Sequence, residues 1–159
     1  MLGKRLIILL LAGGSAVLLD RLTKIWAINE LKGQGVSSYL NDMLRLVYAE
    51  NTGAFLSLGS GMNDNLRYWI LTILPILVLL YVLYFILFSK NLDNWQATAF
   101  SFILGGGASN IVDRFLEGKV VDFLNMGIGT LRTGIFNVAD MAIMAGLFMM
   151  LFSMLRKKS

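Results

Sequence analysis

Long uncharged stretches alternate with short polar connections along this chain. Residues 68–89 form 22 consecutive positions without Asp, Glu, Lys or Arg, and residues 95–112 form another 18. A helix needs about 20 apolar residues to cross a bilayer. Two more apolar stretches, one near each end of the chain, contain only a few charges. The pattern predicts four membrane-spanning helices, over residues 6–28, 68–89, 95–113 and 136–155.

An even number of crossings puts both termini on one side of the membrane. Basic residues lie at both chain ends and, as Lys90, in the short connection after the second stretch, which predicts that this side is cytoplasmic. The segments 29–66 and 114–135 then face outward. From Ser37 to Ser57, polar, aromatic and branched residues lie between glycines, which is typical of short strands. We therefore predict an all-α polytopic membrane protein with four transmembrane helices and a small extracytoplasmic β-containing segment, organised as one membrane-embedded domain over residues 1–159.

Composition narrows the chemistry that this domain can perform. Of 159 residues, 57% are hydrophobic and 15% are charged, and there is no Cys and no His. These absences exclude thiolate nucleophiles, Ser-His triads and His-based zinc motifs. A hydrolase built on this chain would use Asp, Glu, Lys or Tyr, and no metal or other cofactor is predicted. The net charge of +4 comes largely from basic residues at the chain ends, so we interpret it as a topology signal and not as a nucleic-acid footprint.

Most of the ten carboxylates have an ordinary explanation. Asp20 and Lys24 are four positions apart and share a helix face, which predicts an ion pair at the outer end of the first helix. Asp113 and Arg114 are interpreted as a charged stop that closes the third helix, with Arg114 free to brace a nearby carboxylate or carbonyl. Glu50 stays open because it adjoins Asn51. Five others are interpreted as solvated charges in loops and turns: Glu30, Asp42, Asp64, Asp93 and Glu117.

Asp122 and Asp140 stand apart because each lies in an apolar context beside a membrane edge. The chain leaves the membrane after the third helix and re-enters with the fourth, so both carboxyl groups are expected at one depth. Two carboxylates at close range share a proton, because both cannot ionise comfortably. One can then activate water while the other donates to a carbonyl oxygen. Asn110 and Asn137 lie at a similar depth and are suited to orienting a carboxylate or a substrate carbonyl. Either Asp alone is explained equally well as a helix cap, so the pair carries the hypothesis.

Five short motifs make the chain resemble the bacterial lipoprotein signal peptidases, also called signal peptidase II, an aspartic peptidase family. They occur in the family's order within a four-helix chain of similar size. Two positions differ from the usual pattern: Phe55 comes one position early, and Ser109 stands where the family usually has Gly. The motifs are Asp20-Arg21-Leu22-Thr23-Lys24, Asn51-Thr52-Gly53-Ala54-Phe55, Gly106-Gly107-Ala108-Ser109-Asn110-Ile111-Val112-Asp113-Arg114, Val120-Val121-Asp122-Phe123 and Phe136-Asn137-Val138-Ala139-Asp140.

The resemblance implies a specific reaction and location. Family members sit in the bacterial cytoplasmic membrane with the active site at its outer face, and they remove the signal peptide of prolipoproteins just before a cysteine that carries diacylglycerol. It implies that Asp122 and Asp140 are catalytic. It also implies partners, namely lipid-modified prolipoproteins, membrane lipids and cyclic peptide inhibitors of the globomycin type, and no nucleic acid. The supporting residues that it implies are Asn51, Asn110, Arg114 and Asn137 near the dyad, with Asp20 and Lys24 on the first helix.

Three other interpretations of the residues stay open. A small transporter or channel subunit would use Asp122 and Asp140 for ions or protons, because intramembrane acids mark such pathways. Against it, transporter sites usually lie at mid-bilayer between repeats, and this chain has no internal repeat. A non-catalytic membrane scaffold would leave the polar cluster unexplained. A Ser-Lys hydrolase would pair Ser109 or Ser57 with Lys24, although no spacing in the sequence places those groups together.

Overall fold

A computed structural model of the protein describes residues 2–53 and 61–156. A helix lies at each of the four predicted stretches, and each differs from the prediction at its ends. The four are α1 (Leu2–Glu30), α2 (Asp64–Phe88), α3 (Asn94–Glu117) and α4 (Val138–Arg156). The first two each contain one π-helical turn, at Leu9–Gly13 and Trp69–Ile73. Residues 54–60, which include Phe55 and Ser57 of the sequence analysis, lie outside the described residues.

Hydropathy separates α3 from the other helices. Helices α1, α2 and α4 are each long and apolar enough to cross a membrane. Helix α3 is long enough but not apolar enough. The reason is its position, because α3 contacts all three other helices and its buried residues include Gly105, Ser109 and Asn110. A helix that faces protein on several sides does not need the apolar surface that lipid requires. Hydropathy alone therefore supports three membrane crossings.

Small residues bring the helices together near the middle of α3. A Cβ at Gly105 would lie 2.8 Å from the Gly13 Cα of α1. A Cβ at Gly106 would run into the backbone oxygen of Ala139 at the start of α4. Close helix contact through small residues is a common device in membrane bundles, where the hydrophobic effect does not drive helices together. The Gly106 contact fixes the beginning of α4, which carries Asp140, against α3.

The connection between α1 and α2 and the connection between α3 and α4 together form one antiparallel sheet. Its strands are β1 (Ser37–Tyr39), β2 (Leu44–Asn51), β3 (Val120–Ile128) and β4 (Leu131–Arg132), in the order β1-β2-β3-β4. Strand β2 follows α1 and β3 follows α3, so their pairing joins segments that are distant in sequence. The register opposes Ala49 to Asp122 and Asn51 to Val120. Phe123 of β3 packs on Ala27 and Leu31 at the end of α1, which fixes the sheet against the helices.

Two interpretations of charged residues are corrected by the helix boundaries. Asp113 and Arg114 do not close α3, because the helix continues to Glu117 and ends at Gly118, whose φ of 68° is the left-handed cap conformation. Glu117 therefore lies in a helix and not in a turn. Asp64 likewise lies in the first turn of α2, where a negative charge favours the helix dipole. The sequence showed where the apolar stretches stop, and helices often extend past that point.

A buried arginine connects the beginning of α1 to the end of α2. The Arg5 side chain, interpreted from the sequence as a topology charge, is only 6% exposed. Its guanidinium donates hydrogen bonds to the carbonyl oxygens of Ile86, Leu87 and Leu92, at 3.0–3.3 Å. The last carbonyls of a helix have no partner within the helix and carry partial negative charge. Arg5 thus satisfies the end of α2 and the connection that follows it.

Candidate active site

The predicted polar residues converge where the ends of α3 and α4 meet the sheet. Asp122 comes from β3, Asp140 from the first turn of α4, and Asn110 with Arg114 from α3. Asn51 ends β2. One small cavity is lined by Asn51, Asn110, Arg114, Val120, Asp122, Ile135, Asn137 and Asp140. The structure therefore brings together all six residues assigned to the dyad and its support.

Two asparagine amides hold the Asp122 carboxyl group. The Asn137 Nδ2 donates to Asp122 Oδ1 at 2.6 Å, and the Asn51 Nδ2 donates to Oδ2 at 2.9 Å. Asp122 is 3% exposed. Burial and, to a smaller extent, the negative charge of Asp140 raise the pKa of the Asp122 carboxyl to about 6, although the two amide hydrogen bonds oppose the increase. A carboxyl group with such a pKa can exchange a proton near neutral pH.

A reciprocal helix cap holds the Asp140 carboxyl group. Asn137 precedes α4, and its Oδ1 accepts from the Asp140 backbone N–H at 3.0 Å. Asp140 Oδ2 accepts in return from the Asn137 backbone N–H at 3.2 Å. This is a capping box, with Asp140 at its third position. The other oxygen, Oδ1, accepts from Asn110 Nδ2 at 2.9 Å. The Asn137-Val138-Ala139-Asp140 spacing is the sequence signal that would have predicted this geometry.

Arg114 borders the cavity without an ion pair to either aspartate among the described residues. Its Nη2 donates to the Gly53 carbonyl oxygen at 2.8 Å, and Nη1 lies 3.5 Å from the Asn110 carbonyl oxygen. Its buried Nε has no hydrogen-bond partner in residues 2–53 and 61–156. The guanidinium thus braces the backbone that leads out of β2. Bracing a nearby carbonyl is one of the two roles predicted for Arg114 from the sequence.

The predicted ion pair between Asp20 and Lys24 is present and belongs to a larger buried cluster. Lys24 Nζ lies 2.7 Å from Asp20 Oδ2 and also 2.7 Å from Asp113 Oδ2. Arg21 makes a second contact with Asp113, at 2.6 Å. Asp20 Oδ1 accepts from the backbone N–H of Ala139 at 2.9 Å. Sequence reasoning missed Asp113, although its i, i+4 spacing from Ser109 would have placed both on one face of α3.

Ser109 and Lys24 do approach each other, but not as a nucleophile and its base. The Ser109 Oγ donates to Asp20 Oδ2 at 2.6 Å, the same oxygen that Lys24 contacts. Lys24 Nζ also donates to Asp113 and to Asn110. Three acceptors use all three hydrogens of an ammonium group, so no lone pair is available to take the proton of a serine. The geometry does not favour a Ser-Lys hydrolase through Ser109.

Two larger cavities meet beside the dyad. A cavity of about 400 Å³ lies between α2, α3 and α4 and reaches Asp140. Most of its walls are apolar: Leu71, Leu74, Pro75, Val78, Leu79, Gly107, Ile111 and Ile143. A second cavity of about 310 Å³ is more polar and includes Thr52, Asp64, Asn65 and Arg67. Arg114 and Leu71 line both. An apolar and a polar cavity thus adjoin at Arg114 and Leu71, and the apolar one reaches Asp140.

Comparison with known proteins identifies the family. The family model for signal peptidase II matches residues 12–156. The lipoprotein signal peptidase of Gloeobacter violaceus is 35% identical over 150 residues, which are 94% of this chain and 82% of that protein. The lipoprotein signal peptidase of Chlorobium phaeobacteroides is 40% identical over 147 residues, covering 86% of this chain and 88% of that protein.

Solved structures give the same result for the fold. A bacterial membrane enzyme determined by the in meso method at 2.3 Å resolution superposes with a TM-score of 0.78 at 25% identity, over 100% of this chain and 92% of that one. A second such structure, at 1.9 Å resolution, gives a TM-score of 0.76 at 23% identity, covering 98% and 94%. The family match spans nearly the whole chain and contains every motif that brings the dyad together. The chain belongs to the signal peptidase II family of membrane-embedded proteases.

Proposed function

We propose that this protein is an aspartic endopeptidase that removes the signal peptide from diacylglyceryl-modified prolipoproteins, with Asp122 and Asp140 as its catalytic pair. One observation carries the proposal: the two carboxyl groups line a single cavity and are held there by asparagine amides. Asn51 and Asn137 donate to Asp122, and Asn110 donates to Asp140. Family membership supports the substrate class, since its relatives are lipoprotein signal peptidases.

The chemistry requires one proton on the pair. The ionised carboxylate takes a proton from water, whose oxygen attacks the scissile carbonyl carbon, while the protonated neighbour donates to the carbonyl oxygen. The tetrahedral intermediate then expels the amine of the substrate cysteine, which leaves with a proton from the pair. The raised pKa of Asp122 supports proton sharing, because it extends the pH range over which the pair holds a proton. Arg114 at the cavity wall would attract the developing negative charge.

The cavities fit a substrate that is half lipid and half peptide. The apolar cavity between α2, α3 and α4 opens beside Asp140 and would receive the signal helix or the acyl chains. The polar cavity on the other side of Arg114 would receive the chain after the cysteine. A cyclic peptide of the globomycin type would inhibit by occupying the same space.

A topology of four crossings with both termini in the cytoplasm is consistent with the strand pairing of the sheet. Strand β2 lies before α2 and β3 lies after α3, and the two strands are paired. Both outer segments are therefore on one side, so if α2 crosses the membrane, α3 must cross back. The basic chain ends favour the opposite side as cytoplasmic by the positive-inside rule, which supports an outer location for the sheet. The dyad then lies at the outer face of the cytoplasmic membrane.

The absence of native cysteine makes this topology directly testable. We expect single cysteines at Gln34 and Thr130, both exposed, to react with a membrane-impermeant maleimide in intact spheroplasts. A cysteine at the exposed Asn91 should react only after permeabilisation. Labelling of Asn91→Cys in intact cells together with protection of the other two would reverse the orientation, and protection of Thr130→Cys alone would show that α3 does not cross.

The proposed reaction is tested with purified protein in detergent. We expect cleavage of a diacylglyceryl-modified prolipoprotein immediately before the modified cysteine, identified by mass spectrometry, and little cleavage of the same chain without lipid. Failure of folded protein to cut the lipidated substrate would contradict the proposal. Proton flux through the same protein in liposomes would then favour the ion-pathway alternative.

A further inference from the structure

We propose that the buried Lys24 is a positioning residue for the catalytic pair: its ammonium group fixes the direction of the Asn110 amide, so that the amide always presents its NH₂ to Asp140. The proposal rests on the proposed function for its kinetic consequence, but the geometry and one of its tests do not. None of the α1 residues lines the cavity that holds the two aspartates, so this would be a route by which α1 acts on them.

The ammonium group of Lys24 has no hydrogen left to give. It is 3% exposed and contacts three acceptors, Asp20 Oδ2 at 2.7 Å, Asp113 Oδ2 at 2.7 Å and Asn110 Oδ1 at 2.8 Å. An ammonium group has three N–H donors and accepts nothing. Two of the contacts are with charges that balance it, and the third is with a neutral amide oxygen. That third contact is the one that reaches the catalytic pair.

The Asn110 amide is oriented by charge on both of its sides. Its Oδ1 accepts from Lys24 and, at 3.2 Å, from Asn137 Nδ2. Its Nδ2 donates to Asp140 Oδ1 at 2.9 Å. Rotating the amide by a half turn would set NH₂ against an ammonium group and a carbonyl oxygen against a carboxylate. Both new contacts would be repulsive, so Lys24 excludes the reversed orientation.

The other two amides at the site are held by backbone groups instead. Asn51 Oδ1 accepts from the Gly53 N–H at 2.9 Å, and Asn137 Oδ1 accepts from the Asp140 N–H at 3.0 Å. Each therefore needs only its local backbone to face a carboxyl group correctly. Asn110 lies inside α3, where its side chain has no such local partner, and a cation from α1 takes that place.

The charge of Lys24 also acts on the pair at longer range. It lowers the pKa of Asp122, against the larger effect of burial. The other charged groups near Lys24 and the catalytic pair come from four elements. They are Asp20 and Arg21 on α1, Asp113 and Arg114 on α3, Asp140 on α4 and Asp122 on β3. Removing Lys24 leaves Asp113 with Arg21 alone and makes the surroundings more negative. Ionisation of the pair should then require a higher pH.

The test compares Lys24→Met with Asp113→Asn. Both variants remove the ion pair between Lys24 of α1 and Asp113 of α3, but only the first frees the Asn110 amide, and they change the local charge in opposite directions. We expect Lys24→Met to lower kcat at least about tenfold with little change in KM, and to move the acidic limb of the kcat/KM profile about one pH unit upward. Asp113→Asn should leave that limb in place or move it downward. An unchanged limb in Lys24→Met, whatever its kcat, would mean that Lys24 only holds the helices together and would overturn the proposal.

Two additions keep the result interpretable. If Lys24→Met does not fold, the paired change Asp20→Asn with Lys24→Met removes two opposite charges at once. It carries the same expectation for kcat, with a smaller upward shift of the limb because the net charge is unchanged. Infrared titration of the Asp122 carboxyl band, assigned by its loss in Asp122→Asn, reads the same shift without any substrate. An upward shift of its midpoint in a protein that cuts no lipoprotein would support the role of Lys24 and refute the proposed reaction. An unshifted midpoint would refute the role of Lys24 but not the proposed reaction.

Discussion

Replacing Asp122 by Asn should change the way stability depends on pH. The folded structure raises the pKa of this carboxyl from 3.8 to about 6, with burial as the first cause. The folded state therefore holds a proton that the unfolded chain has already lost between about pH 4 and pH 6. Stability falls with rising pH wherever the folded state binds more protons than the unfolded state. The wild-type protein should lose stability over this interval relative to Asp122→Asn, which has no group to ionise there.

The size of the effect follows from the pKa difference. At 1.36 kcal/mol per pH unit, an increase from 3.8 to about 6 corresponds to about 3 kcal/mol. Below pH 4 the difference between the two proteins reflects only the altered hydrogen bonds to Asn51 and Asn137. Above pH 6 the full penalty of keeping a buried charge applies to the wild type alone. The change between the two plateaus isolates ionisation from packing.

The assay is unfolding in detergent, followed by fluorescence of the three tryptophans, at steps from pH 4 to pH 8. We expect the wild type to lose about 3 kcal/mol relative to Asp122→Asn across the interval. Glu117→Gln, which neutralises an exposed carboxyl at the end of α3, is the control and should follow the wild type. A pH-independent difference between wild type and Asp122→Asn, or an increase in the relative stability of the wild type with pH, would refute the reasoning.

Two further predictions concern the packing that supports the site. Gly106→Ala should destabilise the fold by about 1–3 kcal/mol and reduce peptidase activity, because the new methyl group meets the backbone of Ala139 beside Asp140 of the proposed catalytic pair. Gly107→Ala, whose new methyl group meets the flexible Leu79 side chain, is the matched control for stability, and equal losses of stability in both would contradict the argument. Arg5→Ala should cost about 2 kcal/mol in detergent unfolding, because two carbonyls at the end of α2 and one in the connection that follows it lose a charged donor. Its exposed neighbour Lys4, changed to Ala, should cost much less; equal costs would show that Arg5 acts only as a topology charge.

The helices could be predicted from the sequence because a bilayer imposes a length and a composition. The same rule cannot count α3, since its buried face carries Gly105, Ser109 and Asn110 and contacts protein instead of lipid. Strands were predicted in the first outer segment, but β3 was not, because pairing of β2 with β3 is a contact between distant parts of the chain. Local pattern carries no information about such a partner.

The catalytic candidates could be predicted because a carboxylate in an apolar context has few explanations. Their supporting residues came partly from the family resemblance and partly from depth along the helices. The role of Asp113 was misjudged, because from the sequence it is one of two adjacent charges near a helix end. Only the approach of α1 and α3 through Gly13 and Gly105 shows that Asp113 faces Lys24.

The central claim is that Asp122 and Asp140 act together on water. Its most direct test is the turnover rate of Asp122→Asn and Asp140→Asn on a lipidated prolipoprotein. Each change is nearly isosteric and removes only the ionisable group. Asp93→Asn is the matched control, because it makes the same chemical change at the far end of α3, where Asn caps a helix as well as Asp does. We predict that both dyad variants fold and are inactive while Asp93→Asn cleaves at the wild-type rate; full activity in either dyad variant would contradict the account.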